Sequence, residues 1–184
     1  MATTDRHIAY HEAGHFIAAY AQGKTSDNGC GKFGVSIVKN GDTLGEVGGE
    51  GPDDDETAWR EACVGLYAGF EAELRFDAAA ASAKGHASDD DEKAARFISW
   101  LDGDPNTLEM ELREQAKALV AKHWREVTAI AEDLLVFRRL DPIEAEFVAA
   151  AADGDADAQL ELHNYRMAWA DDLARLPGRT AKEA

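Results

Sequence analysis

Cysteine is almost absent from this sequence, and the two present, Cys30 and Cys63, have no C-x-x-C spacing. Two thiols cannot staple a disulfide-rich scaffold, so the simplest compartment is a reducing cytosol, with both residues packed as small apolar side chains. Positive charge is scarce as well: 19 Lys and Arg stand against 36 Asp and Glu, for a net charge of −17. A phosphate backbone would be repelled by such a surface rather than neutralised, which sets nucleic acid aside as a partner. Long hydrophobic runs are missing too. No stretch nears the ~18 apolar residues of a membrane span, and the charged N-terminal segment MATTDRHIAYHEAGHF has no uninterrupted apolar core for a signal peptide. Together these absences predict a soluble, cytoplasmic protein without nucleic-acid or membrane partners.

What is present suits one folded domain. The 184 residues are 45% apolar and 30% charged, enough to bury a core. Repeats of the solenoid kind are not found. Residues 5–21 place Ile8, His11, His15 and Ile17 to Ala19 near helical spacing, with Thr4 or Asp5 able to cap the start. A turn-rich stretch, GKTSDNGCGKFG, leads to a β-prone run at Val35 to Val38. Asn40-Gly41 then supports a tight turn and Leu44 to Val47 a returning strand.

Thr57 to Phe76 reads as a largely buried helix with a stripe of Trp59, Cys63, Leu66, Tyr67 and Phe70. Ala78 to Ser88 reads as a loop, and Asp89, Asp90 and Asp91 open a third helix, where acids suit the positive end of the dipole. Two more helices are predicted: Leu108 to Leu140, broken or bent once, and Pro142 to Ala152, begun by Asp141-Pro142. The segment DGDADAQ then separates a last amphipathic stretch, Leu160 to Leu176, from a polar tail, RTAKEA, expected to fray. The predicted fold is mainly α with a small β-hairpin or short sheet, residues 1–152 forming the main domain and 153–184 a helical extension.

The chemistry concentrates near the start. His11-Glu12-Ala13-Gly14-His15 fits H-E-x-x-H on a helix, where a separation of four residues puts both imidazoles on one face, one turn apart. Two ligands can then converge on one zinc ion, which lowers the pKa of its water toward ~7. Glu12, beside the first ligand, is the candidate base that takes the water's proton and passes it to the leaving amine. Ala13 and Gly14 are small enough for another element to approach closely.

A catalytic zinc site needs a third protein ligand. The metzincin extension fails, because Ala18 and Ala21 occupy the places of its Gly and third His. Remaining candidates are Glu71 or Glu73 on the second helix and the cluster Asp89-Asp90-Asp91-Glu92, whose acids also suit a helix start without any metal. His7, one turn before His11, could approach the metal but is expected to face solvent, and His86, close to Asp90, could help bind substrate or metal but reads as a loop histidine. Gly23-Lys24-Thr25 resembles the end of a phosphate loop, but Ala18 replaces the required first Gly. Asp153 to Asp157 begins like a calcium loop, yet Ala158 and Asn164 stand where its Gly and Glu belong.

Five segments, in order along the chain, resemble the peptidase domain of the FtsH-type ATP-dependent zinc proteases. AYHEAGH at Ala9 to His15 is similar to the family's metal-binding helix, and VSIVKNGDTLG at Val35 to Gly45 to its following strand and Leu-Gly turn. AGFEAEL at Ala68 to Leu74 is similar to its G-R-A-A-E-E helix, and GHASDDDEKAA at Gly85 to Ala95 to its G-A-S-N-D-L-x-x-A-T segment. His123 to Val148 is similar to its closing helices.

The resemblance implies a zincin-like helical peptidase fold, Zn2+ as cofactor and peptide-bond hydrolysis. It also implies Asp90 as third ligand, with Asp89 and Asp91 one residue to either side, and a role for Glu73 in orienting a ligand or in a core-edge ion pair. Phe70 and Glu71 depart from the family's Arg and Ala, and no ATPase module is read in the chain. The expected substrates are therefore unfolded or loosely folded polypeptides, bound by strand addition to the edge of Val35 to Val38, with a separate ATPase as a possible partner. The alternative is an inactive, zinc-stabilised binding or regulatory module.

Overall fold

The computed structural model describes residues 3–24, 34–38, 46–47, 55–79 and 88–180. The Asn40-Gly41 turn, Cys30, Leu44, Gly85, His86 and tail residues 181–184 lie outside the described residues. Helix α1 spans Thr3–Ala21 and α2 Glu56–Phe76, the latter capped by Asp55, which accepts from the Ala58 amide at 2.9 Å. Thr4 and Asp5 fall inside the first turn of α1 instead of capping it, and Asp5 accepts from the Arg138 guanidinium at 3.2 Å. Helix α3 (Ser88–Ile98) carries Asp89, Asp90 and Asp91 in its first turn.

The long helical stretch read from Leu108 onward is two helices, α4 (Pro105–Lys122) and α5 (Trp124–Phe137), broken at His123, whose backbone is not helical. It does not run to Leu140. Arg138 turns left-handed (φ 64°), and Arg139–Leu140 form strand β3. A non-glycine residue in that conformation needs support, and Arg138 has it. Its carbonyl accepts from Ile37 N at 2.9 Å while its guanidinium reaches Asp5 and the Ile37 carbonyl.

Helix α6 (Pro142–Asp153) is capped by Asp141, as the Asp-Pro pair predicts, and ends at Gly154 with φ 102°. Helix α7 (Ala156–Ala168) starts earlier than expected because Asp155 caps it, so all of DGDADAQ but Gly154 and Asp155 is helical, and α8 (Ala170–Ala174) follows.

The described residues are thus mainly α with a small antiparallel sheet. Strand β1 (Val35–Ser36) lies in its middle, between β2 (Glu46–Val47) and β3, with Val35 opposite both Val47 and Leu140. The hairpin is present, but the edge expected at Val35 to Val38 is occupied on both sides at the paired residues. Gly34 (φ +78°) admits this pairing, since a Cβ there would meet the Leu140 carbonyl oxygen.

The core gathers where α1 packs on α2 and α5, and α2 packs in turn on α3 and α4. Phe16, Ile17, Tyr67, Leu112, Ile130 and Leu134 are its largest fully buried side chains, and Tyr10 stacks on both Phe76 and Trp124. The C-terminal residues are tied down as well. Arg166 and Arg179 both pair with fully buried Glu144, and the Thr180 amide donates to the Phe137 carbonyl at 2.9 Å. Arg179 and Thr180 are therefore held, not frayed. No helix among the described residues is long and apolar enough to cross a membrane.

Candidate metal centre

The site begins with how closely α1 and α2 approach. Gly14 lies against α2, where a Cβ would strike the Ala68 carbonyl oxygen and come within 2.9 Å of Ala72 Cβ. This is the close approach that the small residues of the motif predict. It turns the face of α1 that carries His11 and His15 onto the middle of α2, burying His11 and leaving His15 half-buried. Helix α3 closes the third side: Cys63 on α2 reaches the Ala94 carbonyl, and the first turn of α3 brings in Asp90.

Three donor atoms then meet. His11 Nε2 and His15 Nε2 are 2.9 Å apart, and one carboxylate oxygen, Asp90 Oδ2, is 3.1 Å from the first and 3.2 Å from the second. His15 Nδ1 donates to the Gly65 carbonyl at 2.8 Å, which fixes the ring and aims Nε2 at the cluster. The other Asp90 oxygen is 3.7 Å from the exposed Lys93 ammonium.

Electrostatics follow from this crowding. Burial alone would lower the pKa of His15, but the hydrogen bond and charge of Asp90, the charge of Glu12 and the Gly65 carbonyl outweigh it and push it up to about 9. Burial would raise the pKa of Asp90, yet the hydrogen bonds and charges of both imidazoles hold its carboxyl well below the usual carboxylate range. Without a metal, protons must fill the gap between these atoms. His11, His15 and Asp90 together can hold a metal ion, the one such group of three found among the described residues.

The other candidates stand apart. Asp89 and Glu92 are exposed, and Asp91 pairs with Arg113 at 2.7 Å. Glu71 feels Lys117 and Arg113 of α4, although burial dominates and raises its pKa. Glu12 is buried beside His11, with 6% of its surface exposed. Glu73 is buried on α2 and not exposed at a core edge.

His7 is a correction, being 1% exposed where solvent was expected. It lies edge-on to Phe76, 3.7 Å from the Asp77 carboxylate. The same helical spacing that joins His11 to His15 puts His7 on their inward face, so its burial was readable. Gly65 and Gly69 were assigned no role from sequence. Their spacing on α2 matches that of the histidines on α1, and this was the one available signal. Comparison with protein-family models and with curated proteins finds no match to this chain.

Proposed function

We propose that this chain is a zinc-dependent metallopeptidase acting on unfolded or loosely folded polypeptides, akin to the FtsH-type peptidase domains it resembles. The observation that carries the reading is the triangle of two imidazole nitrogens and one carboxylate oxygen, with edges of 2.9, 3.1 and 3.2 Å, beside the buried Glu12. Zinc–ligand bonds of ~2.0–2.1 Å in tetrahedral array put ligand atoms about 3.3 Å apart, so the spacing fits. Two nitrogens and one oxygen are also a donor set that suits zinc, and three protein ligands leave a fourth position open, as a catalytic site requires.

When bound, zinc supplies the Lewis acidity that makes water a nucleophile near neutral pH. The chain's own residues do the rest. His11, His15 and Asp90 hold the ion, and the Gly65 carbonyl keeps His15 in the tautomer whose Nε2 is free to ligate. Glu12 takes the proton of the attacking water and returns it to the departing amine nitrogen. Because the paired residues of β1 have partners on both sides, an extended substrate must add at an outer strand of the sheet.

Casein and peptide-library cleavage by the zinc-loaded protein tests this. Glu12→Gln is expected to cut the rate by roughly 10²- to 10⁴-fold with zinc stoichiometry unchanged. Undiminished cleavage by that variant overturns the mechanism, and zinc binding without cleavage by the wild type leaves a zinc-stabilised binding module instead.

A further inference from the structure

Helix α2 carries two glycines, Gly65 and Gly69, at the spacing that His11 and His15 have on α1. They are not equivalent. A Cβ at Gly69 would lie 2.6 Å from both Cε1 and Nε2 of His15 and 3.0 Å from Cε1 of His11. A Cβ at Gly65 would meet nothing described within 4 Å, and that residue acts through its carbonyl on His15 Nδ1. Glycine inside a helix is unfavourable relative to alanine, so its presence at 69 needs a reason that outweighs propensity.

We propose that Gly69 is a positioning residue for the metal centre, its missing side chain holding open the volume in which the two imidazole Nε2 atoms converge. The inference rests on the zinc reading above. The atoms an added methyl would strike belong to the far ends of two side chains, unlike those at Gly14, where the obstacle is the backbone of Ala68. In the metal-free protein those rings can shift to other rotamers, giving up contacts such as His15 with the Gly65 carbonyl and Asp90 but leaving the helix backbones in place. With an ion bound they cannot, because both Nε2 atoms must stay directed at one point. A methyl group at 69 therefore separates metal binding from folding.

The test uses the full chain as wild type and as Gly69→Ala. Each is measured for zinc affinity by competition with a chromophoric chelator, for the visible absorption of its Co2+ form, and for metal-free thermal stability. Gly69→Ala is expected to weaken zinc binding by about 10- to 100-fold and to alter the Co2+ spectrum, while the metal-free chain still folds cooperatively, the gain in helix propensity offsetting part of the lost imidazole contacts. Wild-type affinity and spectrum in Gly69→Ala would overturn the proposal. A Gly69→Ala chain that no longer folds without metal would also overturn it, making Gly69 a packing residue. A wild type that binds no metal removes the zinc reading and this inference together, whereas a metal-binding wild type with an unaffected Gly69→Ala removes this inference alone.

Discussion

Two of the polar clusters among the described residues, one around Glu144 and one around Asp90, are built on opposite plans. Around Glu144, two carboxylates face two guanidinium groups: Arg166 bonds Glu144 at 2.7 Å and also pairs with Asp133, and Arg179 bonds Glu144 at 2.8 Å. The formal charges cancel, and the protein alone completes the cluster. At the crossing of α1, α2 and α3, two imidazole nitrogens and a carboxylate oxygen converge instead, with Glu12 buried alongside and the exposed Lys93 3.7 Å from the other Asp90 oxygen. Protons or a cation can complete that arrangement. The first cluster is architecture that ties the C-terminal residues to α6, whereas the second could serve as a receptacle for a metal ion.

The sharpest break of this comparison comes from removing the centre of the closed cluster. Glu144→Ala leaves Arg179, nearly inaccessible, with a buried charge that has lost its main partner, and should cost about 3–5 kcal/mol in urea unfolding. Because the receptacle is built by other helices, metal binding by the folded fraction should not change. Equal stability in wild type and variant would show the Glu144 cluster to be dispensable.

A change of pH sharpens the contrast further. The folded pKa of His15 is raised from 6.5 to about 9, so its contribution to metal-free stability is complete below pH 6.5 and is lost as pH rises through about 9. Asp90 is depressed from 3.8, so its contribution is present above that value and lost only as pH falls below it. The metal-free protein should therefore lose stability between pH 7 and 9 while its affinity for zinc rises, because zinc must displace the His15 proton. Calorimetric titration across that range, with melting of the metal-free form, checks both trends; zinc affinity that falls toward pH 9 would contradict them.

The smallest effect is expected next door. Asp91 adjoins Asp90 in sequence but spends its charge on Arg113 near the surface. Asp91→Ala should cost no more than about 1 kcal/mol and leave metal binding intact. Loss of metal in this variant would shift the third ligand by one residue.

Much of this was readable in the chain, for physical reasons that differ from element to element. The helix of His11 and His15 shows in its periodicity, and the Asp141-Pro142 start of α6 in its cap chemistry. The small residues beside His15 announced the close approach that Gly14 makes to α2. Asp90 was separable from Asp89 and Asp91 only by resemblance, since all three suit a helix start equally; its distinction is which way it points. Strand β3 was hidden because Arg138 leaves the helix through contacts with Ile37 and with Asp5, 133 residues away, which no local window contains. Gly65 and Gly69 were hidden because one acts through its backbone and the other through the absence of a side chain.

The most direct measurement is the zinc content of the purified wild type beside that of Asp90→Ala, by atomic emission after dialysis. One ion per chain in the wild type, and a large loss in the variant with folding retained, is the expected result. A wild type without bound metal, or a variant that keeps its full complement, would contradict the reading of this corner as a metal centre.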